Sequence, residues 1–325
     1  VYEVVSIFIG GGTPSVLSGE QLCRIMDEIK QAFILSEDAE ITMEANPGTV
    51  SLEQLKLCRK AGINRISLGL QSTVQQELDM LGRIHTYEEF LQSYHWARKA
   101  GFSNINVDLM FAIPGQTCEN WKHNLETIAE LSPEHISAYS LIIEEGTPFA
   151  RKKLILPTED EEYQMYEDTA EILRKYGFHQ YEISNYARDG FECRHNKGYW
   201  QRTEYLGAGL GAASLFQGRR FSNTSDMKVY LSDSTDPEKI REDVTTLSGS
   251  NEMEEFMFLG LRMTEGISER QFERNFGCRI EDIYGSVLTK YKDMDLLEHT
   301  GEFWRFTRKG IHVSNPVLAD FLLDE

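Results

Sequence analysis

The chain has 325 residues, 41% of them hydrophobic and 26% charged, with a formal net charge of −19. That length accommodates one large domain and a small one, in a composition typical of globular rather than disordered proteins. The acidic surplus argues against sequence-blind nucleic-acid binding, which relies on cationic surface, and no apolar run reaches the roughly 18 residues of a membrane helix.

The N-terminus begins directly with a strand and lacks the charged and apolar regions of a secretory leader. Five cysteines stand at 23, 58, 118, 193 and 278, too scattered for a metal or cluster spacing. They suit reduced thiols in a cytoplasmic protein, with Cys23 and Cys58 acting as small hydrophobes in helices.

Val4, Val5, Ile7, Phe8 and Ile9 read as a strand buried on both faces, as in parallel sheets. It runs into Gly10-Gly11-Gly12-Thr13-Pro14-Ser15. Successive glycines add no packing and cost backbone entropy, so their use is to let a ligand approach bare backbone. Ser18 and Gln21 form a capping box for the first helix. A second strand, Glu40–Ala45, closes at Asn46-Pro47-Gly48, and Ser51 with Gln54 starts a helix that stops at Gly62. A third strand covers 64–72. Thr73 with Gln76, then Thr86 with Glu89, start two more helices. The fourth and fifth strands are 104–111 and 135–143. Thr158 with Glu161 opens a long helix to Gly177, and 180–186 reads as a sixth strand.

This alternation, about one strand every 25–40 residues, predicts a parallel β/α architecture. A closed eight-fold barrel needs about 250 residues, and the repeat ends near 187, so the fold class expected is α/β with a partial (β/α)6 barrel. We assign 1–215 to this barrel, the polar stretch 216–250 to a connector, and 251–325 to a small domain of three helices and a hairpin turning at Thr300-Gly301. That domain is winged-helix-like, but only Arg305, Arg308 and Lys309 cluster near its hairpin, which fits a packing or lid role better than DNA binding.

Side chains alternate between the two faces of a strand. Glu44, Gln71 and Asp108 therefore point away from the apolar faces of their strands, at or near the C-terminal ends, level with the glycine loop. Polar groups at that level mark the catalytic face of a β/α barrel. Two carboxylates and an amide suit a ligand with an amine and hydroxyls, Arg83 suits a carboxylate, and phosphate fits less well because no Lys or Arg occurs before residue 24.

In series, Gly10-Gly11-Gly12-Thr13-Pro14-Ser15, Glu44-Ala45-Asn46-Pro47, Gly69-Leu70-Gln71-Ser72, Asn106-Val107-Asp108-Leu109-Met110-Phe111 and Pro114-Gly115-Gln116-Thr117 resemble the radical S-adenosylmethionine (SAM) enzymes. The branch most similar holds oxygen-independent coproporphyrinogen dehydrogenase and the HemW-type haem chaperones. The resemblance implies SAM contacts at Gly11, Gly12, Thr13, Glu44, Gln71, Arg83 and Asp108. It also implies a four-iron four-sulfur (4Fe-4S) cluster held by a CxxxCxxC loop after the first barrel strand. That spacing is absent here, so the cluster cysteines, with the first strand, are expected upstream of Val1.

Glu192-Cys193-Arg194-His195-Asn196-Lys197-Gly198-Tyr199-Trp200 resembles the His-Asn-x-x-Tyr-Trp signature of the chaperone branch. A histidine with Tyr and Trp can offer haem an axial nitrogen and flat apolar walls. His195 is the candidate ligand, with Cys193, His179 and His135 behind it. The resemblance implies haem and a recipient haemoprotein as partners and is compatible with a homodimer. Oxidative decarboxylation of coproporphyrinogen III is the alternative activity. A barrel hydrolase or isomerase using Glu44 and Asp108 as acid and base is a third reading.

Overall fold

The computed structural model describes residues 2–147 and 149–323. These divide into two compact units, 1–195 and 196–325. In chain order the first unit carries β1 (Glu3–Ile9), α1 (Gly19–Ala32), β2 (Ile34–Ala45), α2 (Leu52–Ala61), β3 (Arg65–Gln71), α3 (Gln75–Met80) and α4 (Tyr87–Lys99). It continues with β4 (Ile105–Phe111), α5 (Cys118–Glu130), β5 (His135–Ser140), α6 (Glu159–Lys175), β6 (His179–Glu182) and β7 (Asn185–Ala187). A short helix, α7 (Arg194–Trp200), spans the division.

Helix starts follow the local signals. Ser18, Ser51, Thr86 and Thr158 each accept a hydrogen bond from the backbone N–H three residues on and complete a reciprocal capping box. Thr73 does not. Its hydroxyl and its N–H both donate to Asn124 Oδ1, and α3 begins later with no side-chain cap. Gln54 does more than cap α2, because its Nε2 donates to the carbonyls of Ser15 (2.9 Å) and Leu17 (2.6 Å) and pins the chain that leaves the glycine loop.

The sheet order is β1-β2-β3-β4-β5-β7-β6. The first five strands are parallel, but β7 runs antiparallel to both β5 and β6. The expected sixth parallel strand is therefore a hairpin: a turn at Ile183-Ser184 leaves no room for the crossover that a parallel strand requires. The sheet is a curled, mixed half-barrel. Among the described residues β1 pairs only with β2, which leaves the open flank expected beside Val4–Ile9, but its faces are less buried than expected, with Val5 47% exposed.

One face of the sheet packs against the helices. Met43, Leu68, Val107 and Ile136 meet Leu22, Leu55, Phe90 and Trp121 in a single apolar core. The opposite face is polar along its length, with Glu40, Thr42 and Glu44 on β2, Arg65 and Ser67 on β3, Asn106 and Asp108 on β4, and His135, Ser137 and Tyr139 on β5. That inversion of the usual inside–outside rule is what the functional chemistry is built on.

The second unit contains β8 (Ala213–Phe216), β9 (Arg219–Asn223), α8 (Met227–Asp233), α9 (Pro237–Ile240) and β10 (Arg241–Thr246). The polar stretch 216–250 is thus more structured than a connector, since β10-β9-β8 form a sheet of their own. The rest is α10 (Gly249–Gly260), β11 (Ile267–Ser268), α11 (Glu269–Phe276), α12 (Ile280–Asp293), β12 (Leu297–Thr300), β13 (Phe303–Phe306), α13 (Arg308–His312) and α14 (Ser314–Ala319). The expected three helices and hairpin are present, joined by β11 as a third strand and built around Phe256, Phe272, Tyr284 and Trp304.

Candidate functional site

Parallel pairing in register brings the strand ends together. Glu44 lies opposite Ser67, Ser67 opposite Asn106, and Asp108 opposite Ser137. The result is a cleft of about 240 Å3 whose lining includes Gly12, Thr13, Glu44, Gln71, Arg83 and Asp108. Six of the residues expected to contact SAM thus line one cleft. The seventh, Gly11, joins them by donating its N–H to Glu44 Oε2 at 3.0 Å. The glycine loop is therefore partly committed to a neighbouring carboxylate rather than wholly open. Gly11 and Gly12 have φ of 81° and 60°, and a Cβ at either would meet nothing within 4 Å. Both glycines face open space in a conformation that side chains avoid.

Three further residues build the cleft wall, and of these Tyr139 escaped sequence reasoning. Tyr139 donates its O–H to Gln71 Oε1 at 2.8 Å, holding a side chain whose backbone has the unusual φ of 75°. Asn46 bridges the cleft wall: Nδ2 donates to Thr13 Oγ1 (3.2 Å), and Oδ1 accepts from Arg83 Nη1 (3.4 Å). Ser67 donates to Asp108 Oδ2 at 3.1 Å. The period-2 run His135, Ser137, Tyr139 was the available signal for the tyrosine.

Burial raises the proton affinity of the Glu44 carboxyl; the Gly11 N–H opposes this and the nearby Asp108 charge adds to it. Burial also raises Asp108, against hydrogen bonds from Asn106 and Ser67 and the charge of Arg65. Two carboxylates held close in a half-buried cleft favour a cationic or hydroxyl-bearing ligand. The donor set fits SAM: carboxylates for an amine and ribose hydroxyls, a guanidinium for a carboxylate, and bare glycine backbone for close approach. Among the described residues no group of His, Cys, Asp and Glu is arranged to hold a metal ion, so no step is assigned to a cluster here.

His195 lies elsewhere. Its Nδ1 is 3.1 Å from Ser6 Oγ, and its ring stacks on Phe8 at 5.1 Å between centroids. Its N–H donates to Glu40 Oε1 (3.2 Å), while Arg194 N–H donates to Glu40 Oε2 (3.1 Å), so one carboxylate receives the start of α7. Glu40 precedes Glu44 by four residues on the same face of β2, which places this level about 13 Å from the cleft. His195 and Trp200 are five residues apart and leave α7 about 140° from each other. They therefore do not form the two sides of one slot on the helix. In the second unit Arg262 stacks over Trp200 at 4.4 Å, and Trp200 lines a cavity of about 470 Å3 with Phe256, Met263, Ile267 and Phe303.

The other possible ligands are engaged. His179 lies 2.9 Å from Glu192 and 3.2 Å from Asp189. Cys193 is fully buried with its thiol on Glu40 Oε1, and His135 is fully buried with both ring nitrogens in hydrogen bonds. Burial lowers the proton affinity of His135 strongly and also that of His85 and His195. These rings are kept neutral, so they contribute stability that is fully present above the unfolded histidine value near 6.5 and is lost as pH falls through their depressed folded values. The raised carboxyls of Glu44 and Asp108 act oppositely, since taking up a proton relieves their burial. Because protonating His135 also breaks a buried hydrogen bond, the histidines are expected to dominate. The urea midpoint should be lower at pH 5.5 than at 7.5; an equal or higher midpoint at pH 5.5 would contradict this.

Comparison with known proteins gives the family. Residues 1–128 match the Radical SAM superfamily and residues 247–313 the HemN C-terminal domain. The chain is similar to the haem chaperone HemW of Lactococcus lactis, with 41% identity covering 100% of this chain and 86% of that protein. It is also similar to HemW of Bacillus subtilis (38%; 98% and 86%) and of Escherichia coli (34%; 99% and 85%). Among solved structures, the radical SAM enzyme coproporphyrinogen III oxidase (HemN) of Escherichia coli superposes with a TM-score of 0.86 over 98% of this chain and 78% of that one. At 22% identity that likeness speaks to fold alone.

Proposed function

The chain belongs to the HemW haem chaperones of the radical SAM superfamily, and from that premise we propose that it binds haem and passes it to a recipient haemoprotein. The observation that carries this reading is the 41% and 38% identity with curated haem chaperones across nearly the whole chain. Haem is the cargo. Within the second unit, Trp200 and Phe303 line a cavity with mixed apolar and polar walls, and an aromatic face of this kind suits a porphyrin. His195 is the proposed axial ligand.

SAM is proposed to occupy the cleft at the strand ends. In this superfamily SAM with a four-iron cluster supplies a 5′-deoxyadenosyl radical. The residues here bind and orient: Glu44 and Asp108 accept from amine and hydroxyl groups, Gln71 is fixed by Tyr139, and Arg83 pairs with a carboxylate. Five cysteines that form no disulfide with one another fit a reducing, cytoplasmic setting.

Haem titration, set beside a coproporphyrinogen III assay with SAM and reductant, tests the reading. Saturable haem binding without decarboxylation is expected. Decarboxylation without haem retention would reverse the assignment in favour of the porphyrin-biosynthetic enzyme.

A further inference from the structure

Beneath the cleft lies a buried file of side chains whose donors and acceptors run in one direction. Asn106 Nδ2 is 2.7 Å from both Asp108 Oδ1 and Ser67 Oγ. An ionised carboxylate only accepts, so the amide must present its nitrogen to Asp108. The amide oxygen then faces His135 Nδ1 at 2.6 Å and the Ser137 hydroxyl at 3.1 Å. Because that oxygen only accepts, His135 carries its proton on Nδ1. A neutral imidazole has a single N–H, so Nε2 is the acceptor for the Tyr181 O–H at 2.8 Å. Tyr181 in turn accepts the backbone N–H of Cys193 at 3.3 Å. Ser67 closes the other side, accepting from Asn106 and donating to Asp108 Oδ2 at 3.1 Å.

We propose that Tyr181 and His135 are positioning residues for the Asp108 carboxylate, acting through the orientation of the Asn106 amide. The inference rests on the assignment of Asp108 to SAM. His135 and Asn106 are 0% and 2% exposed and Tyr181 is 5% exposed, so water does not substitute for a missing partner. Burial and the neighbouring Arg65 charge hold His135 neutral, which preserves the direction of the file. Without the Tyr181 hydroxyl, His135 Nε2 loses its donor and the Asn106 oxygen alone holds the proton on Nδ1. In the other tautomer the Asn106 oxygen loses the imidazole N–H, and the amide that grips Asp108 is held less firmly on its far side. The file starts at Cys193, two residues before His195, so the backbone of the motif-bearing loop is its first donor.

The experiment is a double-mutant cycle read by SAM calorimetry. Tyr181→Phe should weaken SAM binding about 3–10-fold, the size of one hydrogen bond's net contribution. The same change in an Asp108→Ala background should add nothing. Imidazole nitrogen NMR should show His135 with Nδ1 protonated in the wild type and a mixed tautomer in Tyr181→Phe, a readout that loss of packing alone does not produce. Ser137→Ala removes the second donor to the same amide oxygen and should weaken SAM in the same direction, which covers the case of Tyr181→Phe failing to fold. Wild-type affinity in both single variants, or equal losses with and without Asp108, would overturn the relay. Unchanged affinity in Asp108→Ala would instead overturn the SAM assignment, and the relay's role with it.

Discussion

Asp108→Ala is expected to weaken SAM binding by roughly 1–3 kcal/mol, about 5–150-fold, the range for losing a hydrogen bond to a charged group. The carboxylate stands at the C-terminal end of β4, gripped by Asn106 on one oxygen and Ser67 on the other. Burial raises its proton affinity, and those bonds and the charge of Arg65 oppose that only in part. Such preorganisation makes its interaction with ligand hydroxyls larger than that of a mobile surface acid. Removing it also relieves Glu44 of a repulsive neighbour, which lets Glu44 ionise more readily and returns a little of the attraction for a cationic ligand. Asp108→Asn keeps the shape and loses the charge, so it should fall between the wild type and Asp108→Ala. Calorimetry showing the wild-type constant for Asp108→Ala would remove the residue from the site.

Much of this site is legible in sequence because parallel strands in register keep one level. Glu44, Gln71 and Asp108 each end a strand with clean alternation, so their shared level follows from pairing alone. Capping signals are equally local, and Ser18, Ser51, Thr86 and Thr158 act as their sequences indicate. Thr73 fails because a buried asparagine from α5, 51 residues away, competes for its hydroxyl and N–H. The β6–β7 hairpin is hidden because Gln180–Tyr186 alternates as one strand would and its turn, Ile183-Ser184, carries no glycine. The first half of β2, Ile34–Ala39, is too acidic to read as strand; it forms because β1 pairs with it at Glu3 and Val4. The relay from Cys193 to Asp108 is beyond any local reading, since it joins four separate strands and a loop.

His195→Ala is expected to abolish the axial-ligand signature of bound haem, and Trp200→Ala to weaken haem retention through lost apolar contact. Iron binds an imidazole through a neutral nitrogen, and a ligating ring commonly donates its other N–H to a fixed acceptor. Ser6 Oγ, 3.1 Å from Nδ1, would be such an acceptor in the tautomer that leaves Nε2 free for iron. Ser6→Ala should therefore shift the haem spectrum without abolishing it. Burial lowers the proton affinity of His195, partly opposed by the Glu40 charge, so the ring stays neutral further into acid than a free histidine. Loss of haem on acidification should accordingly set in below about pH 6.5, the ordinary histidine value. SAM affinity should survive both His195→Ala and Trp200→Ala, because neither side chain lines the cleft. A haem spectrum identical in wild type and His195→Ala would take the iron away from this ring. The stacking on Phe8 and the bond to Ser6 would then be its whole role, that of fastening the start of α7 to the edge of the sheet.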